Sequence, residues 1–205
     1  MILFLLLESI DGTIDRGDRM NRRENKGFTL AELLIVVAII AVLVAVAVSV
    51  FNRQLEESRE AYDIATLRQA ASIGMIYYYK GVTDKPSATK AGMLWWDNNN
   101  IDQNNASGIY IPGSEVFIPK GSKDKAVKPY GKGTKVDGGM KYTMGNNRGS
   151  YSSKEDYTDA VVLVSIYPTG DNPHIDAYWK NSNGDYIGGK NAANDPKYSI
   201  RINID

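Results

Sequence analysis

The feature that most constrains this chain is a long apolar run near its N-terminus. Residues 28–51 read FTLAELLIVVAIIAVLVAVAVSVF, with Glu32 as the one charged residue and with neither proline nor glycine. As a helix this run would span about 36 Å, more than the ~30 Å hydrocarbon core of a bilayer. It is also longer than the apolar core of a signal peptide. We therefore predict a helix that crosses a membrane once.

The residues before the run orient it. Arg22, Arg23 and Lys26 lie on its N-terminal side. Cytoplasmic flanks carry the excess of Lys and Arg, so the N-terminus is predicted to stay inside and the C-terminal bulk to be exported.

The amino-acid composition excludes several classes of catalytic and metal-binding site. The 205 residues include 24 Lys+Arg and 24 Asp+Glu, a single histidine and no cysteine. Disulfide frameworks, thiol nucleophiles and zinc sites built on thiolates or several imidazoles are excluded. No nucleophile motif, P-loop or dinucleotide fingerprint is present. We therefore predict neither catalysis nor a metal or cofactor.

Glu32 has two interpretations. An acidic residue in the first turn of a helix interacts favourably with the helix dipole, and near an interface it can reach water. Alternatively, the carboxylate awaits a positive partner inside an assembly.

The segment Lys26–Leu34, KGFTLAELL, carries a family signature. It resembles the class III signal of type IV prepilins and pseudopilins. The resemblance implies cleavage between Gly27 and Phe28 by a membrane peptidase, which also methylates the new Phe28 amine. It makes Glu32 the fifth mature residue, which we expect to meet the Phe28 amine of a neighbouring subunit and to align the incoming chain.

The same resemblance implies a structural role. The chain would be a type IV pilus subunit, first anchored in the membrane and then part of an extracellular helical homopolymer. Implied partners are other copies, the prepilin peptidase, an assembly ATPase and an inner-membrane platform. Alternatives are a pseudopilin of a secretion or DNA-uptake machine, and an anchored binding module that never polymerises. The residues expected in the membrane or filament core are Phe28, Leu30, Leu33, Leu34, Ile35, Val36, Val37, Ile39, Ile40 and Phe51.

The region before the apolar run divides at Met20. Residues 20–27 form a compact basic leader like those of the family, which makes residues 1–19 either a mis-assigned translation start or a genuinely long leader. One allowed codon choice for residues 16–20 contains a ribosome-binding sequence ahead of Met20, which favours the first interpretation.

The helix is predicted to continue through residues 52–79 and to stop at Lys80-Gly81, where glycine can adopt the left-handed cap. Two apolar stripes follow the helical period: Leu55, Tyr62, Ile73 and Ile76, and a broader one with Ile64, Leu67, Ala71 and Met75. Arg53–Glu57 and Arg59 are assigned to a polar face.

Residues 80–205 have the pattern of a small exported β domain. Ala160–Tyr167, Ile175–Trp179 and Tyr198–Ile204 are the best strands. Tyr110–Ile118, Lys141–Met144 and a hairpin arm at Tyr186-Ile187 are weaker. We predict an α+β fold in which a long N-terminal helix, its first half transmembrane, packs on an antiparallel sheet of about four strands. The lollipop fold of pilins has this organisation.

Three further motifs have ordinary and functional interpretations. The loop Asp97–Asp102, DNNNID, suggests calcium, but it lacks the glycine and final glutamate of an EF-hand and fits a polar loop better. His174 fits a surface loop. A lysine series could contact nucleic acid or an anionic surface, although a solvated loop is the simpler interpretation. Its members are Lys120, Lys123, Lys125, Lys128, Lys132 and Lys135.

Overall fold

The structure, a computed structural model, describes residues 28–114, 116–119, 127–143 and 149–204. The chain divides into two compact units, residues 1–44 and 45–205, which are described separately. Helix α1 begins at Leu30 and ends at Tyr79, so the predicted long helix is confirmed. The predictions for residues 1–27 lie outside the described residues.

Helix α1 ends in a Schellman motif. The Gly81 N–H donates to the Tyr78 carbonyl at 2.8 Å and the Val82 N–H to the Tyr77 carbonyl at 3.1 Å. Gly81 has φ +91°, the left-handed conformation that this motif requires. The stop predicted at Lys80-Gly81 is therefore where the helix ends.

The second unit contains an antiparallel sheet of six strands and a separate two-stranded sheet. The strands are β1 Leu94–Trp96, β2 Asn105–Tyr110, β3 Phe117–Pro119, β4 Lys141–Thr143, β5 Gly149–Ser152, β6 Ala160–Tyr167, β7 His174–Asn181 and β8 Ile200–Asn203. The large sheet has the order β1-β2-β6-β7-β8, with β3 also paired to β2, and the small sheet joins β4 and β5. The remaining elements are a short helix, α2, at Lys85–Lys90 and a 3-10 turn at Ile101–Gln103.

The predicted α+β class is confirmed, but the sheet is larger than the four strands expected. Strands β6, β7 and β8 lie where the sequence placed them. The stretch Tyr110–Ile118 is not one strand, because β2 ends at its first residue and a turn follows at 112–113. The expected hairpin arm contributes only one isolated bridge, between Lys180 and Tyr186.

The main core lies between α1 and one face of the large sheet, the inner face. Ile64, Leu67, Ala70 and Ala71 of α1 share one buried cluster with Val162, Val164, Ile166, Ile175 and Ala177 of β6 and β7. Gly74 marks the closest approach, since a Cβ there would lie 2.8 Å from Val164 Cγ1 and 2.9 Å from Ile175 Cγ2. Any larger residue at this position would push the helix off the sheet.

The two predicted stripes of α1 differ in burial. The broader stripe forms the core, with Leu67 and Ala71 fully buried. In the other stripe Leu55, Tyr62 and Ile76 each remain about two-fifths exposed, so only Ile73 is buried as expected. The assignment of Arg53–Glu57 to a polar solvent face was wrong for Glu56, which is 2% exposed.

Glu56 belongs to a group of three buried carboxylates. With Glu60 and Asp63 it recurs at helical spacing on one face of α1, and all three are at most 2% exposed. They accept backbone N–H bonds from the segment 132–140: Glu56 from Thr134, Glu60 from Gly138 and Met140 at 2.8 and 2.9 Å, and Asp63 from Lys132 and Gly133 at 2.8 and 2.7 Å. We call this arrangement the carboxylate clasp. It fixes a segment without regular secondary structure to the helix.

Glycine lets the segment approach α1 closely enough for these bonds. A Cβ at Gly138 would lie 2.6 Å from the backbone nitrogen of Glu57. Burial raises the pKa of Asp63 to about 6, because it disfavours the charged carboxylate more than the backbone N–H bonds favour it. Burial also raises the pKa of Glu60.

Replacing Glu60 by glutamine should destabilise the second unit. Both oxygens of Glu60 accept backbone N–H bonds, so the NH₂ group of glutamine would face one of these N–H donors. The unpaired donors should lower the free energy of unfolding by about 1–3 kcal/mol. Glu57→Gln, an exposed neighbour, is the matched control and should stay within about 0.5 kcal/mol. Chemical unfolding of the full chain in detergent, followed by tryptophan fluorescence, measures both. Equal stability of the two variants would contradict the clasp.

Asp63 should also make stability depend on pH. Because its pKa is raised to about 6, the folded chain retains a proton that the unfolded chain releases near pH 4. The linked stabilisation is therefore present below about pH 4 and is lost as the pH rises through 6. Wild type should lose stability relative to Asp63→Asn across this range, measured by unfolding curves at several pH values. A constant difference would contradict the raised pKa.

Candidate functional site

The first turn of α1 is closed by a capping box. Thr29 precedes the first helical residue, and its hydroxyl accepts a bond from the Glu32 N–H at 3.2 Å. In return Glu32 Oε2 accepts the Thr29 N–H at 2.8 Å and the Thr29 hydroxyl at 2.9 Å. A T-x-x-E spacing produces this reciprocal pairing, which satisfies backbone donors that the helix leaves unpaired.

This geometry assigns Glu32 a role within its own chain. It agrees with the first interpretation of Glu32, an acid in the first helical turn, and it adds a partner, Thr29. The sequence analysis missed Thr29 as a capping residue, although the spacing of Thr29 and Glu32 was enough to identify it. The three bonds use only Oε2 and the backbone N–H of Glu32, so Oε1 takes part in none of them.

Phe28 lies immediately before the cap. Phe28 is 89% exposed. It precedes the first helical hydrogen bond, which the Leu33 N–H donates to the Thr29 carbonyl at 3.2 Å. A cut between Gly27 and Phe28 would leave the Phe28–Thr29 peptide bond intact. The cap therefore does not depend on the leader.

The helix beyond the cap exposes an apolar surface on every side. All residues from 28 to 55 are exposed in the isolated chain. From Leu30 to Phe51, the exposed fraction of the large apolar residues ranges from 50% at Val36 to 77% at Leu30. Among the residues that the structure describes, α1 is the one helix long and apolar enough to cross a membrane. Water-soluble monomers rarely present so much contiguous apolar surface, so this one requires lipid or other apolar helices.

Charge is confined to the edge of this surface. Between Glu32 and Arg53 the sequence contains no charged residue. The residues predicted for the membrane or filament core, from Phe28 to Phe51, all belong to this exposed part of the chain.

Within the described ranges, no cluster of His, Cys, Asp and Glu is arranged to hold a metal ion. The DNNNID loop contains the 3-10 turn and local bonds such as Asp102 N–H to Asn100 at 3.1 Å. His174 is the first residue of β7, so its placement in a surface loop was wrong. In the lysine series Lys120, Lys123 and Lys125 lie outside the described residues, while Lys128, Lys132 and Lys135 are exposed.

Comparison with known proteins agrees with the start of α1. Residues 22–48 match the family model of the prokaryotic N-terminal methylation motif. The match covers the end of the leader, Phe28, the capping box and most of the apolar run. Comparison with curated proteins and with solved structures gives no significant match.

The motif and the apolar helix together indicate anchoring in a membrane before assembly. The motif implies processing by a prepilin peptidase and polymerisation with other copies, and its family consists of structural subunits and not of enzymes. Residues 22–48 therefore carry the prokaryotic N-terminal methylation motif, which is the class III signal peptide of type IV pilins and pseudopilins.

Proposed function

We propose that this chain is a structural subunit of a type IV pilus. Cleavage after Gly27 would release a mature chain that begins at Phe28, is methylated there, and polymerises through α1 into an extracellular fibre. One observation carries the proposal: the methylation motif coincides with a helix that is apolar on all sides and has a single carboxylate at its edge.

The exposed helix supports polymerisation through a simple exchange of surroundings. In the membrane, lipid covers the side chains between Leu30 and Phe51, and in a fibre the helices of neighbouring subunits would cover the same side chains. Contact with a neighbouring apolar helix is little more favourable than contact with lipid tails, because both are apolar. Apolar contact alone therefore does little to fix the register of one subunit against another. A charged pair at the edge of the run would provide that register.

The carboxylate of Glu32 would make this pair with the Phe28 amine of a neighbouring subunit. Its capping bonds do not prevent the pairing, because they use Oε2 and leave Oε1 for an ammonium donor. Desolvation opposes such a pair, so its contribution is to position the subunit more than to stabilise the fibre. The uninterrupted α1 would hold the cap in place while Glu32 engages the neighbour.

The partners and location follow from this role. The proposal requires the peptidase, an assembly ATPase, an inner-membrane platform and other copies of the chain, with the globular unit outside the membrane throughout. The same motif serves pseudopilins of secretion and DNA-uptake machines, which would use the same cleavage and the same helix. An anchored module that keeps its leader would need neither the cleavage nor polymerisation through the helix.

Substitutions at Glu32 can separate its charge from its capping role. Glutamine at the third helical position preserves a capping box, whereas leucine removes it. If the charge aligns subunits, Glu32→Gln should be processed normally but should reduce sheared surface fibres by at least about tenfold. Glu32→Leu should reduce them to a similar extent. Immunoblots of the sheared and membrane fractions measure this.

Three further variants control the experiment. Thr29→Ser retains the cap and should assemble normally. Glu57→Gln removes an exposed carboxylate further along the same helix and should also assemble. Gly27→Asp should retain the leader and give no fibre. Normal fibres from Glu32→Gln would contradict the aligning role, and fibres from Gly27→Asp would contradict the processing step.

A further inference from the structure

The outer face of the large sheet, opposite α1, carries a row of buried polar side chains. Strand register places Ser107 beside Ser165, Ser165 beside Asp176, and Asp176 beside Arg201. These residues alternate with inner-face residues such as Ile166 and Ile175, so they share the outer face. Ser107, Ser165 and Asp176 are only 1–3% exposed. Loops must therefore cover this row.

The loops leave a groove above the row. A cavity of about 370 Å³ is lined by Asp102, Gln103 and residues 193–196, together with Asp176 and Arg201. A second cavity, of about 220 Å³, adjoins Trp96 and Ser107. Both are lined by Asn98, Asn105, Tyr167, Tyr178 and Tyr186, so they form one groove. The larger cavity is within the range of small-molecule sites, ~300–1,000 Å³.

The floor of the groove is held by a continuous hydrogen-bond chain. The Ser107 hydroxyl donates to Asn105 Oδ1 at 2.6 Å and lies 2.9 Å from the Ser165 hydroxyl, which lies 3.1 Å from the Tyr178 hydroxyl. Such buried networks fix the positions of their members. A ligand would therefore meet preorganised polar groups, which lowers the entropic cost of binding.

The next part of the lining is equally fixed. Arg201 pairs with Asp176 through two bonds, one of them from Nε to Oδ1 at 2.7 Å. His174 stacks on Tyr167 with ring centroids 4.5 Å apart, and its Nδ1 lies 2.7 Å from the Asn172 carbonyl. Because a carbonyl only accepts, Nδ1 is the donor in this bond, and Nε2 on the other side of the ring lies 3.8 Å from Asp176 Oδ2.

The chemistry of the lining excludes several ligand classes. Among the described residues that line the groove, the one cation, Arg201, is already paired with Asp176, so the lining itself offers no unpaired cation to a phosphate-rich polymer such as a nucleic acid. A peptide strand cannot pair here, because strand addition needs a sheet edge and the groove lies on a sheet face. Apolar ligands need a predominantly hydrophobic pocket, and most of these lining residues are polar.

The remaining class combines many hydroxyl groups with flat apolar ring faces. The amides and carboxylates at Asn98, Asn105 and Asp102 suit hydroxyl groups. The Trp96 residue is 45% exposed, so its ring offers a surface for a sugar ring, whereas Lys180 Nζ lies over the Tyr186 ring at 4.5 Å. We propose that this groove binds a neutral oligosaccharide. The proposal concerns the second unit alone and does not depend on whether the chain polymerises.

Binding can be tested on the full-length chain in detergent. Chitotetraose, cellotetraose and maltotetraose are the probes, with single-stranded DNA as the polyanion, and isothermal titration calorimetry gives the affinity. At least one tetrasaccharide should bind, and DNA should not compete with it. Trp96→Ala should weaken binding by about tenfold, since it removes the exposed aromatic surface.

Tyr79→Ala is the matched control, because Tyr79 is 71% exposed and is not part of the groove lining. Its affinity should stay within about twofold of wild type. An unfolding curve for each variant ensures that lost binding is compared only among folded proteins. Absence of binding to all three sugars, equal weakening by Tyr79→Ala, or competition by DNA would each overturn the proposal.

Discussion

The apolar surface of α1 between Leu30 and Phe51 has to be kept out of water, and the other features of the N-terminal region depend on how this is done. Lipid can cover it, and so can helices of other copies, and every residue in this stretch is exposed in the isolated chain. Because both environments are apolar, moving between them costs little hydrophobic free energy. Specificity must then come from the few polar groups at the edge of the run.

Glu32 is the polar group in question, and its geometry allows two functions at once. The capping box holds its side chain against Thr29, which fixes the start of the helix. The free subunit therefore presents a carboxylate whose position is already set, and an amine from another subunit would not have to order it. This explains physically how a costly charge beside an apolar run can serve an assembly.

The same helix uses buried carboxylates differently further along. Glu56, Glu60 and Asp63 accept backbone N–H bonds and thereby organise the segment 132–140, and Glu56 also pairs with Arg59 at 3.0 Å. The sequence analysis predicted the helix, its end at Gly81 and strands β6 to β8, because these follow from local periodicity and caps. It missed the clasp, because charged residues at helical spacing are usually solvated.

The remaining misses have related causes. Strands β1 and β2 are LWW and NASGIY, too short or too polar to alternate clearly, and they are strands because β6 pairs beside β2. The groove could not be predicted because Ser107, Asp176 and Arg201 come together only through strand register. The capping box at the start of α1 could have been predicted from the sequence, because Thr29 and Glu32 have the T-x-x-E spacing of this motif.

We propose that the leader is removed after Gly27 and that the mature chain reaches the cell surface through its N-terminal helix. Mass spectrometry of the N-terminus of protein sheared from cells tests this proposal. The sheared chain should begin at Phe28 with one methyl group on its amine. An intact leader, in protein found only in the membrane fraction, would overturn the proposal and leave a singly anchored exported domain.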